Sequence, residues 1–137
     1  MEMIHVDTDI QLRDSFSQFE IDTERDIELT FSADAGEYEV FVRIKNCGKL
    51  RIRTFAYANA QVKYLFWNDN EHMIEIDETH EVLRNANVEV AHCEVNPYPV
   101  KRNTYMALRE PGAYGHLVSS SLVASDKNYK QNIVNFA

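Results

Sequence analysis

This 137-residue sequence predicts an all-β fold: a right-handed parallel β-helix of about four coils with a β cap at its start. Three observations carry the expectation. A corner of small residues recurs four times, apolar and polar side chains alternate along the runs between corners, and no long stretch shows a helical period.

The corners are Ala35-Gly36-Glu37-Tyr38, Asn59-Ala60-Gln61-Val62, Asn85-Ala86-Asn87-Val88 and Gly112-Ala113-Tyr114. Their alanines, 35, 60, 86 and 113, stand 25, 26 and 27 residues apart. One coil cannot bury its own apolar face, so units of this length must stack, each strand pairing with its equivalent one layer away at ~4.8 Å.

Each unit holds two strands. In the first, Tyr38, Val40, Val42 and Ile44 alternate with polar or outward positions; after the turn Asn46-Cys47-Gly48-Lys49, Leu50, Ile52, Thr54 and Ala56 do the same. The second unit runs from Val62 to Trp67, turns at Asn68-Asp69-Asn70 and resumes at Met73-Ile74-Glu75-Ile76. In the third, Val88 to Val95 is followed by a break at Asn96-Pro97-Tyr98-Pro99 and a strand over Thr104 to Leu108. The fourth reads His116 to Val123, a turn at Ser125-Asp126-Lys127-Asn128, then Asn132 to Phe136. Glu78 to Leu83 has the length for one helical turn only. Residues 1–34 hold looser strands, best seen at Ile27, Leu29 and Phe31, and are expected to cap the core of residues 35–137. No two-residue Asn-Gly turn marks a hairpin. An antiparallel β-sandwich is the alternative architecture.

With 45% hydrophobic and 26% charged residues the chain can bury a core. Its net charge of −8 is uneven: residues 1–40 carry 12 acids and two bases, residues 41–137 carry 10 acids and 12 bases. An acidic first third disfavours contact with a phosphate backbone. The start, Met1 to Asp7, has neither the basic nor the apolar run of a secretory leader, and no segment nears the ~20 apolar residues of a membrane span. A cytoplasmic location is therefore expected, with Cys47 and Cys93 as reduced thiols.

Three stretches between Lys49 and Ala137 share one style of strand, small-residue corner, strand and polar turn: Asn59-Ala60-Gln61-Val62-Lys63-Tyr64-Leu65, Glu81-Val82-Leu83-Arg84-Asn85-Ala86-Asn87-Val88-Glu89-Val90, and Pro111-Gly112-Ala113 through Ser119-Ser120-Ser121-Leu122-Val123. On these stretches the run from Lys49 to Ala137 resembles the β-helical core of the SufB/SufD family, the scaffold proteins of iron–sulfur cluster assembly. The resemblance covers roughly two-thirds of the chain and rests on rhythm, not on a catalytic string. It implies an assembly factor, not an enzyme, that pairs with a SufB/SufD paralogue and with a SufC-like ABC ATPase. The iron–sulfur cluster is a transient cargo of that complex. Family members are longer, with further coils and a C-terminal helical segment, and their cluster-linked positions fall in the part this chain lacks. Ile133-Val134-Asn135-Phe136-Ala137 ends the sequence inside an expected strand, as in a fragment, a truncated frame or a degenerate paralogue.

Candidate chemistry is sparse. His92-Cys93-Glu94 is the densest ligand-like cluster, but strand alternation sets His92 and Glu94 on one side and Cys93 on the other. The expectation is a buried Cys93 between surface neighbours and no resident cofactor. Cys47 and Cys93 are out of phase in their units and are not expected to stack. His72 and His80, among Glu71, Glu75, Asp77, Glu78 and Glu81, read as a hydrated turn. Arg43, Lys45, Lys49, Arg51 and Arg53, interleaved with Phe41, Phe55 and Tyr57, read as a basic band on one outer face, covered by acidic residues 1–34. Ser119, Ser120 and Ser121 lack a G-x-S-x-G context and read as small residues in a coil corner. There is no G-x-x-x-x-G-K-[ST] loop.

The function expected from these readings is a scaffold or accessory piece of iron–sulfur cluster assembly. It would act through the unpaired strand edge at Ile133, Val134 and Phe136, toward another chain or a second copy. The alternative is a β-rich module that binds carbohydrate or nucleic acid through Trp67 and Tyr98.

Overall fold

The computed structural model describes residues 1–95, 98–121 and 130–136. Among them the chain forms twelve strands and no helix: β1 (Glu2–Ile4), β2 (Thr8–Leu12), β3 (Phe16–Asp22), β4 (Ile27–Ala33), β5 (Gly36–Asn46), β6 (Lys49–Ala56), β7 (Ala60–Asn68), β8 (Ile74–Val82), β9 (Asn87–Glu94), β10 (Val100–Leu108), β11 (Tyr114–Ser121) and β12 (Lys130–Phe136). Odd strands form one six-stranded sheet in the order β1-β3-β5-β7-β9-β11, and even strands form the other, from β2 to β12. Every pairing is parallel. Successive strands therefore alternate between two facing sheets, which is a parallel β-solenoid. The antiparallel sandwich is excluded, since it needs antiparallel strand pairs and every described pairing is parallel.

Strands β5 to β12 supply four coils, β5/β6 to β11/β12, as the corner spacing predicts. β1 to β4 continue the same two sheets in register at one end. Two strand assignments change. Glu78 to Leu83 makes no helical turn, because Glu78, His80 and Val82 carry on the inward phase of β8. β10 begins at Val100, before the expected Thr104, because Val100 and Arg102 already pair with Ile74 and Ile76. The turn at Ser125 to Asn128 and the residues Asn96-Pro97 lie outside the described residues.

The core follows from the two-residue period. Inward columns run through the layers in register, for example Leu29–Ile52 in the even sheet and Val42–Phe66 in the odd sheet. All four of these side chains are fully buried. An aromatic spine crosses between the sheets: Phe19 meets Phe31 edge-on at 5.7 Å, Phe31 meets Tyr64 at 5.4 Å, and Tyr64 stacks on Phe66 at 5.2 Å.

The corners explain the small residues. Asn59, Asn85 and Gly112 have φ of 67°, 53° and 79°. This left-handed region is open to glycine and tolerated by asparagine. The Asn59 N–H donates to the Arg84 carbonyl one layer on (2.9 Å), and the Asn85 N–H to Pro111 (3.2 Å). The pairing also shifts the first corner by one residue: Gly36, not Ala35, is opposite Ala60.

Candidate functional site

Polar side chains enter the interior at β6 to β10. On β8, the inward positions after Ile74 and Ile76 are Glu78 and His80; on β9, after Val88 and Val90, they are His92 and Glu94; on β10, after Val100, they are Arg102 and Thr104. All six are buried. Their neighbours in the preceding coil include Ile52 beneath Glu78 and Phe66 beneath His92, so the columns turn from apolar to polar along the stack.

These residues tie the two sheets together. Glu78 accepts from His92 Nε2 (3.0 Å) across the core and from the Thr104 hydroxyl (2.7 Å) beside it. Arg102 donates through Nη1 to Glu94 on the opposite sheet, and Asn68 Nδ2 donates to the other Glu94 oxygen at 2.5 Å. One layer earlier, the Tyr64 and Thr54 hydroxyls bond across the core at 2.8 Å, and Thr54 also meets His80 Nδ1 at 2.8 Å. His92 Nδ1 lies 3.4 Å from Ser119 Oγ in the next coil. Among the described residues, His80 Nε2 and Arg102 Nε and Nη2 have no hydrogen-bond partner.

Electrostatics sets the charge states. Burial raises the Glu78 carboxyl, but the His92 ring, Arg102 and His80 outweigh it and hold the group down at about 2. Burial lowers His80 to about 4 and lowers His92 as well, against the pull of Glu78 in both cases. Arg102 is lowered by burial to about 10 and stays charged at neutral pH. The core thus holds an ionised carboxylate and a guanidinium beside two neutral imidazoles. This buried group clamps the two sheets together.

The structure rearranges several residues singled out in the sequence. His92 and Glu94 do share one side of β9, but it is the inside; Cys93 is the half-exposed residue, the reverse of the expectation. The phase of Val88 and Val90 decides this, since positions two and four further on point the same way. Cys93 pairs in register with Trp67 and Ser120, while Cys47 is buried in the β5–β6 turn, so the two thiols do not stack. Among the described residues no group of three or more His, Cys, Asp or Glu side chains is arranged to hold a metal ion.

The hydrated acidic turn is also overturned. Glu78 and His80 are core residues; His72 and Glu71 are exposed in the β7–β8 connection, and Glu75, Asp77 and Glu81 line the outer face of β8. The basic band is not one surface. Phe41, Arg43 and Lys45 belong to the odd sheet, and Lys49, Arg51, Arg53 and Phe55 to the even one, because a turn separates β5 from β6. Nor do residues 1–34 fold over it. They stack as strands, and Glu20 meets Arg43 at 3.6 Å as its neighbour in register. Lys49 is matched instead by Asp77 (3.5 Å) and Glu75 (3.8 Å) in the coil that follows.

Ser119 is an exposed residue of β11, not a corner residue. Trp67 lies half-buried on the outer face of β7, whereas Tyr98 is exposed in the β9–β10 connection. Ile133, Val134 and Phe136 lie on β12, opposite Asn103, Thr104 and Met106 of β10. β12 and β11 are the last strands of their sheets, and no described strand pairs with their outer edges.

Among the described residues, no helix is long and apolar enough to cross a membrane. Comparison with protein-family models, curated proteins and solved structures finds no match.

Proposed function

We propose that the chain is a non-enzymatic scaffold that works through the open end of its solenoid, as an accessory of iron–sulfur cluster assembly in the manner of the SufB/SufD family. The observation that carries this reading is the pair of end strands, β11 and β12, whose outer edges have no strand partner among the described residues. Unpaired parallel edges offer a row of N–H and C=O groups to an incoming strand. A related solenoid is the partner whose layer spacing suits such a surface. The resemblance in corner rhythm adds a SufC-like ATPase as the second partner and the cluster as cargo. The buried clamp supports a structural role for the core, since its titratable groups face one another and not a cleft.

The test is reconstitution from purified components. The chain is mixed with a SufC-type ATPase and a SufB-type solenoid and passed over a sizing column. Co-elution of the three, lost on Val134→Pro in β12, is the expected result. Separate elution of every component overturns the proposal.

A further inference from the structure

We propose that two copies of this chain associate face to face through the outer surface of the odd sheet, on a two-fold axis that runs parallel to the strands between β7 and β9. The two outer faces of the solenoid differ in kind. On the even sheet, outward charged and polar groups are matched along the stack: Lys49 with Glu75 and Asp77, Arg109 with Glu81 at 2.6 Å, and the Asn103 amide with Asp77 at 2.8 Å. The odd sheet instead carries an apolar column, Phe41–Leu65–Ala91–Val118, in continuous register over four strands. Leu65 and Val118 are 38% and 52% exposed, respectively. Trp67 stands beside it one column over.

The occupant follows from the order of residues in the columns. The stated axis reverses the layers and keeps each column opposite itself. Phe41 then faces the partner's Val118 and Leu65 faces the partner's Ala91, so a large side chain meets a smaller one at each level. The adjoining column reads Glu39–Lys63–Glu89–His116. Reversed against itself, it sets Lys63 opposite the partner's Glu89 and Glu39 opposite the partner's His116. Each acid meets a basic side chain, twice over by symmetry, as an isologous contact requires. A two-fold axis along the stack would instead bring Glu39 to the partner's Arg43, a group already engaged by Glu20 and Asp69.

The shape agrees. Phe16, Glu39, Phe41, Lys63 and Leu65 border an open hollow of about 410 Å³, and the axis delivers the partner's His116 and Val118 to that place. Four strands of roughly eight residues project roughly 500 Å² per copy. The two copies together reach the ~1,000 Å² at which a specific interface becomes sustainable.

Light scattering tests this on the whole chain, with circular dichroism to confirm that each variant keeps its strand content. The wild type is expected at twice the 15.9 kDa of one chain, and Leu65→Lys and Val118→Lys at the mass of one. Lys63→Glu and Glu89→Lys should each shift the protein toward monomer, and an equimolar mixture of the two should restore the dimer. Restoration in the mixture separates pairing between chains from the 3.8 Å contact of Lys63 and Glu89 within one chain. Val134→Pro, at the sheet edge, should leave the dimer intact. A monomeric wild type at the highest soluble concentration overturns the proposal. So does a dimer that survives Leu65→Lys, a mixture that stays monomeric, or a folded Val134→Pro variant that loses the dimer.

Discussion

The Nε2 of His92 on β9 lies 3.0 Å from the carboxylate of Glu78 on β8, and the two residues come from opposite sheets. Fourteen residues separate them in sequence, yet the contact spans the core. It belongs to a chain of polar ties that cross the interior where two apolar sheets alone would suffice to bury area.

The first prediction concerns acid. His80 sits at about 4 in the fold against an ordinary 6.5, and His92 is also lowered. The unfolded chain therefore binds more protons as pH falls below about 6.5, and stability drops through that window. Glu78, at about 2 against an ordinary 4.5, adds a second loss as pH falls from about 4.5 toward 2. Urea midpoints should fall steadily from pH 7 to pH 4. His80→Leu should flatten the slope between pH 6.5 and 4 by up to one proton, about 1.4 kcal/mol per pH unit. A pH-independent midpoint across that range contradicts neutral imidazoles at His80 and His92.

A second prediction concerns Arg102. Its guanidinium is the cation beside Glu94 and Glu78 in the core. Arg102→Met leaves buried carboxylates without it and should cost about 3–5 kcal/mol in urea denaturation. Adding Glu94→Gln to that variant removes one stranded charge and should recover part of the loss. An additive double variant would show that the two side chains act independently.

The corners give a third prediction. Asn85 holds φ 53°, so Asn85→Ala should destabilise by about 1–2 kcal/mol while Asn85→Gly is close to neutral. At Gly112, an added Cβ would lie 2.1 Å from Asn85 Oδ1. Gly112→Ala should therefore cost more in the wild type than in an Asn85→Gly background. Thermal melts of the four proteins measure the difference.

Thiol labelling gives the fourth. Burial pushes the Cys47 thiol up to about 11, and the backbone carbonyls of Arg25 and Lys49 accept from it at 3.5 Å. Cys93 is half-exposed on the outer face of β9. A disulfide reagent under native conditions should modify one thiol per chain, at Cys93, and reach Cys47 only after denaturant is added. Two thiols that react at equal rates would contradict this placement.

The stacked architecture was legible because corners leave a chemical mark. A left-handed residue must be glycine or a tolerant asparagine, so Asn59, Asn85 and Gly112 recur at nearly constant spacing even where the strands share no residue identity. The clamp was harder to read. Glu78, His80, His92 and Glu94 look like surface residues by type, and only the phase set by Ile74, Ile76, Val88 and Val90 reveals that they point inward. Extending each alternation to the end of its strand would have found them. The pairing of Glu78 with His92 depends on which layer faces which across the core, and single-strand periodicity does not carry that information. The same limit misplaced the basic band, because a turn of two residues between β5 and β6 moves the chain to the opposite sheet.

The change of the inner columns from hydrocarbon to charge along the stack gives the molecule a grain. Each coil in such an array leans only on its neighbours. The apolar β3-to-β5 portion should therefore keep its amides longest in deuterium exchange, and protons entering near His92 should fray the array from the β12 end. A protein built this way carries a sturdy root and an adjustable tip.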